Sequence, residues 1–317
     1  MHYILITFAL FVLELLYFKL ADKYNIIDKP NHRSAHTEIT LRGGGVIFWF
    51  ASLLYFMQHS DTNYMFFLGI TLVSIVSFWD DIQNLPNKIR VVAHFSAISL
   101  IFYNLNTFEI LPWWGIPSAY ILAVGIINAY NFMDGINGIT GLYTIVVMGA
   151  LLFVNQYVFE FIDCRFIVYP ILASIVFLFF NYRKRAKCFA GDVGSISIAF
   201  WIIYLLLKLI LETESLVWLL FLAVYGVETV CTILHRIYLK ENIFEAHRWH
   251  FYQVLSNGFK IQHRIVSFLY ALLQIIVSCV VVYGYLDFDV LTIFAIILLP
   301  LLALYSIKFY LLKKIKY

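Results

Sequence analysis

Apolar runs recur along this chain from end to end, near residues 3–20, 44–58, 64–79, 91–104, 117–130, 139–155, 166–181, 194–211, 215–235, 265–284 and 289–311. A helix needs roughly 20 mostly apolar residues to cross a hydrocarbon core about 30 Å thick. The runs therefore predict an all-α, polytopic integral membrane protein with about eleven transmembrane helices (ten to eleven). Charge supports this, since only 13% of the 317 residues are Asp, Glu, Lys or Arg, about half the usual share of a globular domain. No Gly/Ser/Pro-rich linker, low-complexity tract or internal repeat separates the runs. The chain reads as one membrane-embedded domain, residues 1–317, with no soluble domain. The first run, Ile4 to Leu20, follows no basic residue and precedes no small-residue cleavage site, so it reads as an uncleaved span.

An odd number of spans places the two termini on opposite sides. Segments 19–42, 80–90, 130–138, 181–195, 235–264 and 308–317 then share one side, and they hold all of the 22 Lys and Arg residues except Arg165 and Lys208. The other side collects Asp61, Glu109, Glu160, Asp163, Glu212, Glu214, Asp287 and Asp289. By the positive-inside rule the basic side is cytoplasmic. The N-terminus is thus expected outside and Lys313-Lys314-Ile315-Lys316 inside. A net charge of +3 is too small to argue for nucleic acid. The four cysteines, Cys164, Cys188, Cys231 and Cys279, have neither CxxC nor paired metal-site spacing and read as buried thiols.

Ionisable groups at membrane depth are costly and mark function by default, and the predicted cytoplasmic face holds nearly all of the unusual ones. Arg33 and Arg42 flank a loop ending in Gly43-Gly44-Gly45, where free N–H groups and two guanidinium forks suit an anion. Asp80 and Asp81 end an apolar run; neighbouring carboxylates repel, which favours a bound cation or a raised pKa and suits metal binding or general-base work. The stretch Asn128-Ala129-Tyr130-Asn131-Phe132-Met133-Asp134-Gly135-Ile136-Asn137-Gly138 is polar and glycine-rich between apolar helices. Such backbone survives at membrane depth only inside protein or along a wet cavity. Asp192, in Phe189-Ala190-Gly191-Asp192-Val193-Gly194-Ser195, follows the basic run Arg183 to Lys187. As a helix cap it is ordinary; facing other carboxylates it is a hard oxygen ligand for Mg²⁺, which takes one or two carboxylates plus substrate phosphates. His247-Arg248-Trp249-His250 lacks a third zinc ligand in a recognised spacing, so phosphate binding is its better chemistry. Together these segments describe a Mg²⁺–diphosphate site at the cytoplasmic membrane surface.

In this order the motifs resemble the polyprenyl-phosphate N-acetylhexosamine-1-phosphate transferase family of bacterial membranes, over nearly the whole chain. The carriers are DKPNHRSAHTEITLRGGG, WDD, NAYNFMDGINGITG, FAGDVGS and HRWHFYQ. The resemblance implies Asp192 as the Mg²⁺ ligand (Mn²⁺ in its place) and Asp80 and Asp81 as the catalytic pair, one of them base or nucleophile. It implies a catalytic role for His250, beside the phosphates. Asn131, Asp134, Asn137, Arg33, Arg42, Lys187, His247 and Arg248 are implied to bind substrate. The implied reaction moves N-acetylhexosamine-1-phosphate from a UDP-sugar to undecaprenyl phosphate and releases UMP. The implied setting is the bacterial inner membrane, the active site facing the cytoplasm, as a single chain or a homodimer. Asn137 stands where many relatives have Asp, and HRWH is not the consecutive-histidine run of the peptidoglycan branch. The first removes a second charged role there, and the second favours an O-antigen or capsule-type branch over a phospho-MurNAc-pentapeptide transferase. A nucleotide-sugar or lipid-sugar transporter is the competing class; it predicts matching hydropathy halves and charges near the midplane.

Overall fold

The computed structural model describes residues 1–28, 39–59, 63–243, 245 and 247–314. All eleven apolar runs lie in helices: α1 (His2–Lys23), α2 (Ile47–Gln58), α3 (Tyr64–Ile82), α4 (Asn87–Asn104), α5 (Gly115–Met133), α6 (Ile139–Tyr157), α7 (Cys164–Asn181), α8 (Gly191–Thr213), α9 (Ala223–Tyr238), α10 (His263–Asp287) and α11 (Val290–Leu312). Among the described residues, nine helical stretches are long and apolar enough to cross a membrane, α9 counting with the 3₁₀ turn Leu216–Leu222 before it. The other two fall short for separate reasons. The stretch Gly44–Gln58 is shorter, and α4 opens with Lys88 and Arg90 inside the helix.

The centre of the bundle is α8. Of its most apolar window 83% is buried, against 22% for α11, whose surface is left for lipid. The reason is compositional: α8 is apolar all round except where small residues admit neighbours. Ser197 on α8 and Ser74 on α3 share a hydrogen bond of 2.7 Å, the kind of interhelical contact that replaces hydrophobic drive inside lipid. Helices α3 and α5 pack along α8, while α6 lies between α7 and α10.

The glycines before α2 have a different job from the one the sequence suggested. Gly44 N–H donates to the Phe189 carbonyl (2.8 Å) and Gly45 N–H to the Ala190 carbonyl (3.0 Å), so these donors are not free for an anion. A β-carbon on Gly45 would lie 2.2 Å from the Gly194 α-carbon; only hydrogen at both positions lets the backbones meet. Two short strands, β1 (Ile27–Asp28) and β2 (Thr40–Leu41), pair antiparallel, and Leu41 also bridges to Cys188. The segment carrying Arg42 is thereby laid against the start of α8.

Candidate active site

Four of the polar segments singled out in the sequence converge at one end of the bundle, around the first turn of α8. The side chain of Asp81 is fully buried. It accepts from Arg42 Nε (2.7 Å) and from the backbone N–H groups of Asp192 (2.9 Å) and Val193 (3.0 Å). A carboxylate on the free N–H groups of a helix start is the favourable end of the helix dipole. Gly191 makes room for it: its φ is +71°, and a β-carbon there would lie 2.4 Å from Asp81 Oδ2. Consecutive residues on a helix point about 100° apart, so Asp80 faces elsewhere. It accepts from the Leu85 N–H (2.6 Å) and from Arg90 Nη1 (3.0 Å). Each aspartate thus has its own arginine, and the expected repulsion within the pair is relieved by divergence.

Asp192 stands where these groups meet. Its Oδ1 accepts from Asn131 Nδ2 at 3.0 Å and lies 3.8 Å from Arg42 Nη2. Asn131 also donates to Ser195 Oγ (3.2 Å), which locks the amide between the end of α5 and the start of α8. Asp134, just past α5, accepts from Thr140 Oγ1 (2.6 Å). Burial pushes its carboxyl up to about 7, opposed by the Thr140 hydroxyl and by Arg42, while Asp192 adds to the rise. Asn137 is buried, and its amide donates to the Arg183 carbonyl (2.9 Å); its contacts join two loops. Lys187 is directed toward α1, its Nζ 5.2 Å from the centre of the Phe18 ring. Arg33 lies outside the described residues.

The histidine loop closes the same end from the side of α9. Tyr252 O–H donates to the Phe132 carbonyl (3.0 Å), which pins the loop to the end of α5. The His247 and His250 rings are 4.8 Å apart. Burial pushes His247 down to about 3, with His250, Arg236 and Lys308 adding positive field, so at neutral pH it is an uncharged imidazole. His250 is buried at 2% exposure, yet neither of its ring nitrogens makes a hydrogen bond among the described residues. Arg248 is half-buried and forms no ion pair among them. A buried polar atom without a partner is costly and calls for a ligand, here one with acceptor oxygens.

The carboxylates fit a divalent cation. The Asp192 carboxylate, beside Asn131 and Arg42, is the one placed to meet a cation that a bound diphosphate would share. Among the described residues, no three His, Cys, Asp or Glu side chains group closely enough to hold an ion alone. Mg²⁺ suits such a set, because it takes one or two carboxylates and completes its octahedron with water and substrate phosphates.

A family model described as glycosyl transferase family 4 matches residues 63–210. The undecaprenyl-phosphate alpha-N-acetylglucosaminyl 1-phosphate transferase of Escherichia coli (strain K12) is 30% identical over 227 residues, 64% of this chain and 61% of the relative. Over residues 63–210, just under half of the chain, the sequence is similar to glycosyl transferase family 4. The probable undecaprenyl-phosphate N-acetylglucosaminyl 1-phosphate transferase of Bacillus subtilis (strain 168) is 24% identical over 280 residues, 82% of this chain and 77% of the relative. An undecaprenyl-phosphate alpha-N-acetylglucosaminyl 1-phosphate transferase of Yersinia pestis is 26% identical over 208 residues, 60% of this chain and 57% of the relative. This chain spans about three fifths of the length of the Escherichia coli relative it matches. Its apolar helices and its bacterial relatives make this chain a multi-pass bacterial membrane protein. The stretch matched by the family model contains Asp80, Asp81, Asn131, Asp134, Asn137, Lys187 and Asp192; Arg42, His247, Arg248 and His250 lie outside it.

Three partners of the site were not singled out in the sequence. Arg90 pairs with Asp80 from α4, Tyr252 anchors the histidine loop, and Glu228 stands behind His250. A signal existed for two of them. Arg90 shares the predicted cytoplasmic segment 80–90 with Asp80, and Glu228 is an acid within a predicted span, which by default marks function.

Proposed function

We propose that this chain transfers N-acetylhexosamine-1-phosphate from a UDP-sugar to undecaprenyl phosphate, releasing UMP and forming the first lipid-linked intermediate of a surface glycan. The observation that carries this reading is the convergence of Asp81, Asp192, Asn131 and Arg42 at the end of the bundle that the histidine loop closes. The names of the relatives support the acceptor and the transferred group.

In the proposed reaction an oxygen of the lipid phosphate attacks the sugar-linked phosphorus. The bond from that phosphorus to the bridging oxygen breaks, and the electron pair leaves on UMP. Phosphoryl transfer of this kind needs positioning and charge neutralisation more than covalent help. Asp192 would hold Mg²⁺, which would neutralise charge on the diphosphate when bound. Arg42, fixed by Asp81, adds a guanidinium aimed at the same place. Asp80 is the base or orienting group for the lipid phosphate. Asp81 is a positioning residue, since its oxygens are engaged by three internal donors. Asn131 orients Asp192, while His247, Arg248 and His250 face the phosphates from the loop. Basic loops assign this end to the cytoplasmic side of the inner membrane.

The test uses protein purified in detergent with undecaprenyl phosphate, Mg²⁺ and a panel of UDP-N-acetylhexosamines. UMP release that needs both the lipid and the divalent ion is expected, and the best donor names the sugar. Release of UDP would overturn the reading.

A further inference from the structure

Glu228 lies in the interior of α9 at 3% exposure, inside a stretch apolar enough to cross a membrane. An acid there is expensive unless it is partnered and used. Its oxygens are divided between two neutral donors. Oε2 accepts from the Tyr270 hydroxyl on α10 (2.7 Å), and Oε1 accepts a short hydrogen bond from the Phe251 N–H. Neither donor brings a positive charge. The group that can is His250, whose Nδ1 lies 3.5 Å from Oε1.

His250 mirrors this situation. It is as buried as Glu228, with Phe132 and Tyr252 near its ring and His247 at 4.8 Å. The Phe251 N–H that binds Glu228 belongs to the next residue, so the carboxylate fixes the backbone and approaches the ring together. A histidine with a carboxylate at one nitrogen has its tautomer and orientation set by that partner. The separation is longer than a hydrogen bond, and such contacts tighten when the outer nitrogen is engaged by substrate.

We propose that Glu228 is a positioning residue that holds the Nδ1–H of His250, so that Nε2 is presented to a phosphate oxygen of the bound diphosphate. The inference rests on the transferase reading for its ligand. The other charged and titratable groups around this pair are His247 and Arg248 in the loop, Cys231 and Arg236 on α9, Tyr252, Tyr270 on α10, and Tyr305 and Lys308 on α11. Lys308 is the competing counter-ion for Glu228.

The test compares wild type with Glu228→Gln. The amide is nearly isosteric: its oxygen can still accept from Phe251 and its nitrogen can donate to Tyr270. Turnover should fall 10–100-fold, the usual cost of removing a carboxylate behind a functional histidine, while KM for the nucleotide sugar changes less than about threefold, the expected split when the lost interaction is made in the transition state. In protein labelled with ¹⁵N-histidine, with His250 assigned by its loss in His250→Gln, the imidazole pKa should drop by at least about one unit in Glu228→Gln, the electrostatic effect of losing an adjacent charge. Tyr270→Phe, which removes only the neutral donor, should leave that pKa in place. An unchanged His250 titration in Glu228→Gln would overturn the proposal, as would wild-type turnover in that variant. The imidazole measurement needs no turnover. A chain that released no UMP would therefore count against the transferase reading, while the titration still decided the pairing.

Discussion

The two halves of the site are built on opposite principles. Around Asp81 every oxygen is occupied by a donor of the chain itself: Arg42, Asp192 N–H and Val193 N–H. Around His250 two ring nitrogens are buried with no hydrogen bond, and Arg248 has no ionic partner among the described residues. The first half is assembled before substrate arrives, because α8 cannot start without its cap. The second is completed by what it binds. Damage to the Asp81 half should therefore appear as lost structure, and damage to the histidine half as lost turnover.

Asp192→Asn should have the largest effect, since it removes charge where the halves meet and keeps the shape. Turnover should fall on the order of 10²–10³-fold, the usual cost of one preorganised electrostatic group, with little change in the melting temperature in detergent. Retained activity would refute the metal assignment. Asp81→Ala comes next. It strips three donors of their acceptor and should cost about 3–5 kcal/mol of stability, the price of breaking a buried charge pair, read as a lower melting temperature. A variant that melted like wild type yet did not turn over would mean that Asp81 acts on substrate, and the contrast between the halves would fail. His247→Gln should melt within a few degrees of wild type at pH 7. It should lose about tenfold in turnover, near the worth of one hydrogen bond to a charged group.

The smallest expected effect is a pair of opposite pH slopes. Burial raises Asp134 from 3.8 to about 7, so the folded chain holds that proton longer than the unfolded one. The stability it contributes is full below about pH 4 and is lost as the pH rises through 7. His247 is lowered from 6.5 to about 3; its contribution is full above about pH 6.5 and is lost as the pH falls toward 3. The two nearly cancel between about pH 4 and 6.5. Relative to wild type, Asp134→Asn should gain stability as the pH rises across that window, and His247→Gln should lose it. Melting curves in detergent at several pH values decide this; parallel curves would sink both assignments.

The helices were legible because a period-independent signal, length of apolar run, is what lipid demands. All eleven runs are helical, and α4 shows where the signal thins: Lys88 and Arg90 enter its first turn, and Arg90 is retained by Asp80. The residues of the site were legible as unusual polar groups, but their partnerships were not. Nothing in Asp80-Asp81 tells that one side chain faces α8 and the other Arg90, because that depends on the rotation of α3 against a helix more than a hundred residues away. The glycine triplet looked like an anion loop, and its hydrogen bonds go instead to Phe189 and Ala190. A loop of free N–H groups and a loop docked by them share one sequence. Glu228 was passed over because it stands alone in an apolar run, and its role appears only when α9, α10 and the histidine loop are brought together.

The most direct test of the account follows the donor's second phosphate. Protein in detergent is given UDP-N-acetylglucosamine labelled at the β-phosphorus, undecaprenyl phosphate and Mg²⁺, and the label is traced. The account predicts label in the lipid and unlabelled UMP in solution. Label remaining in released UDP, with only the sugar on the lipid, would contradict it.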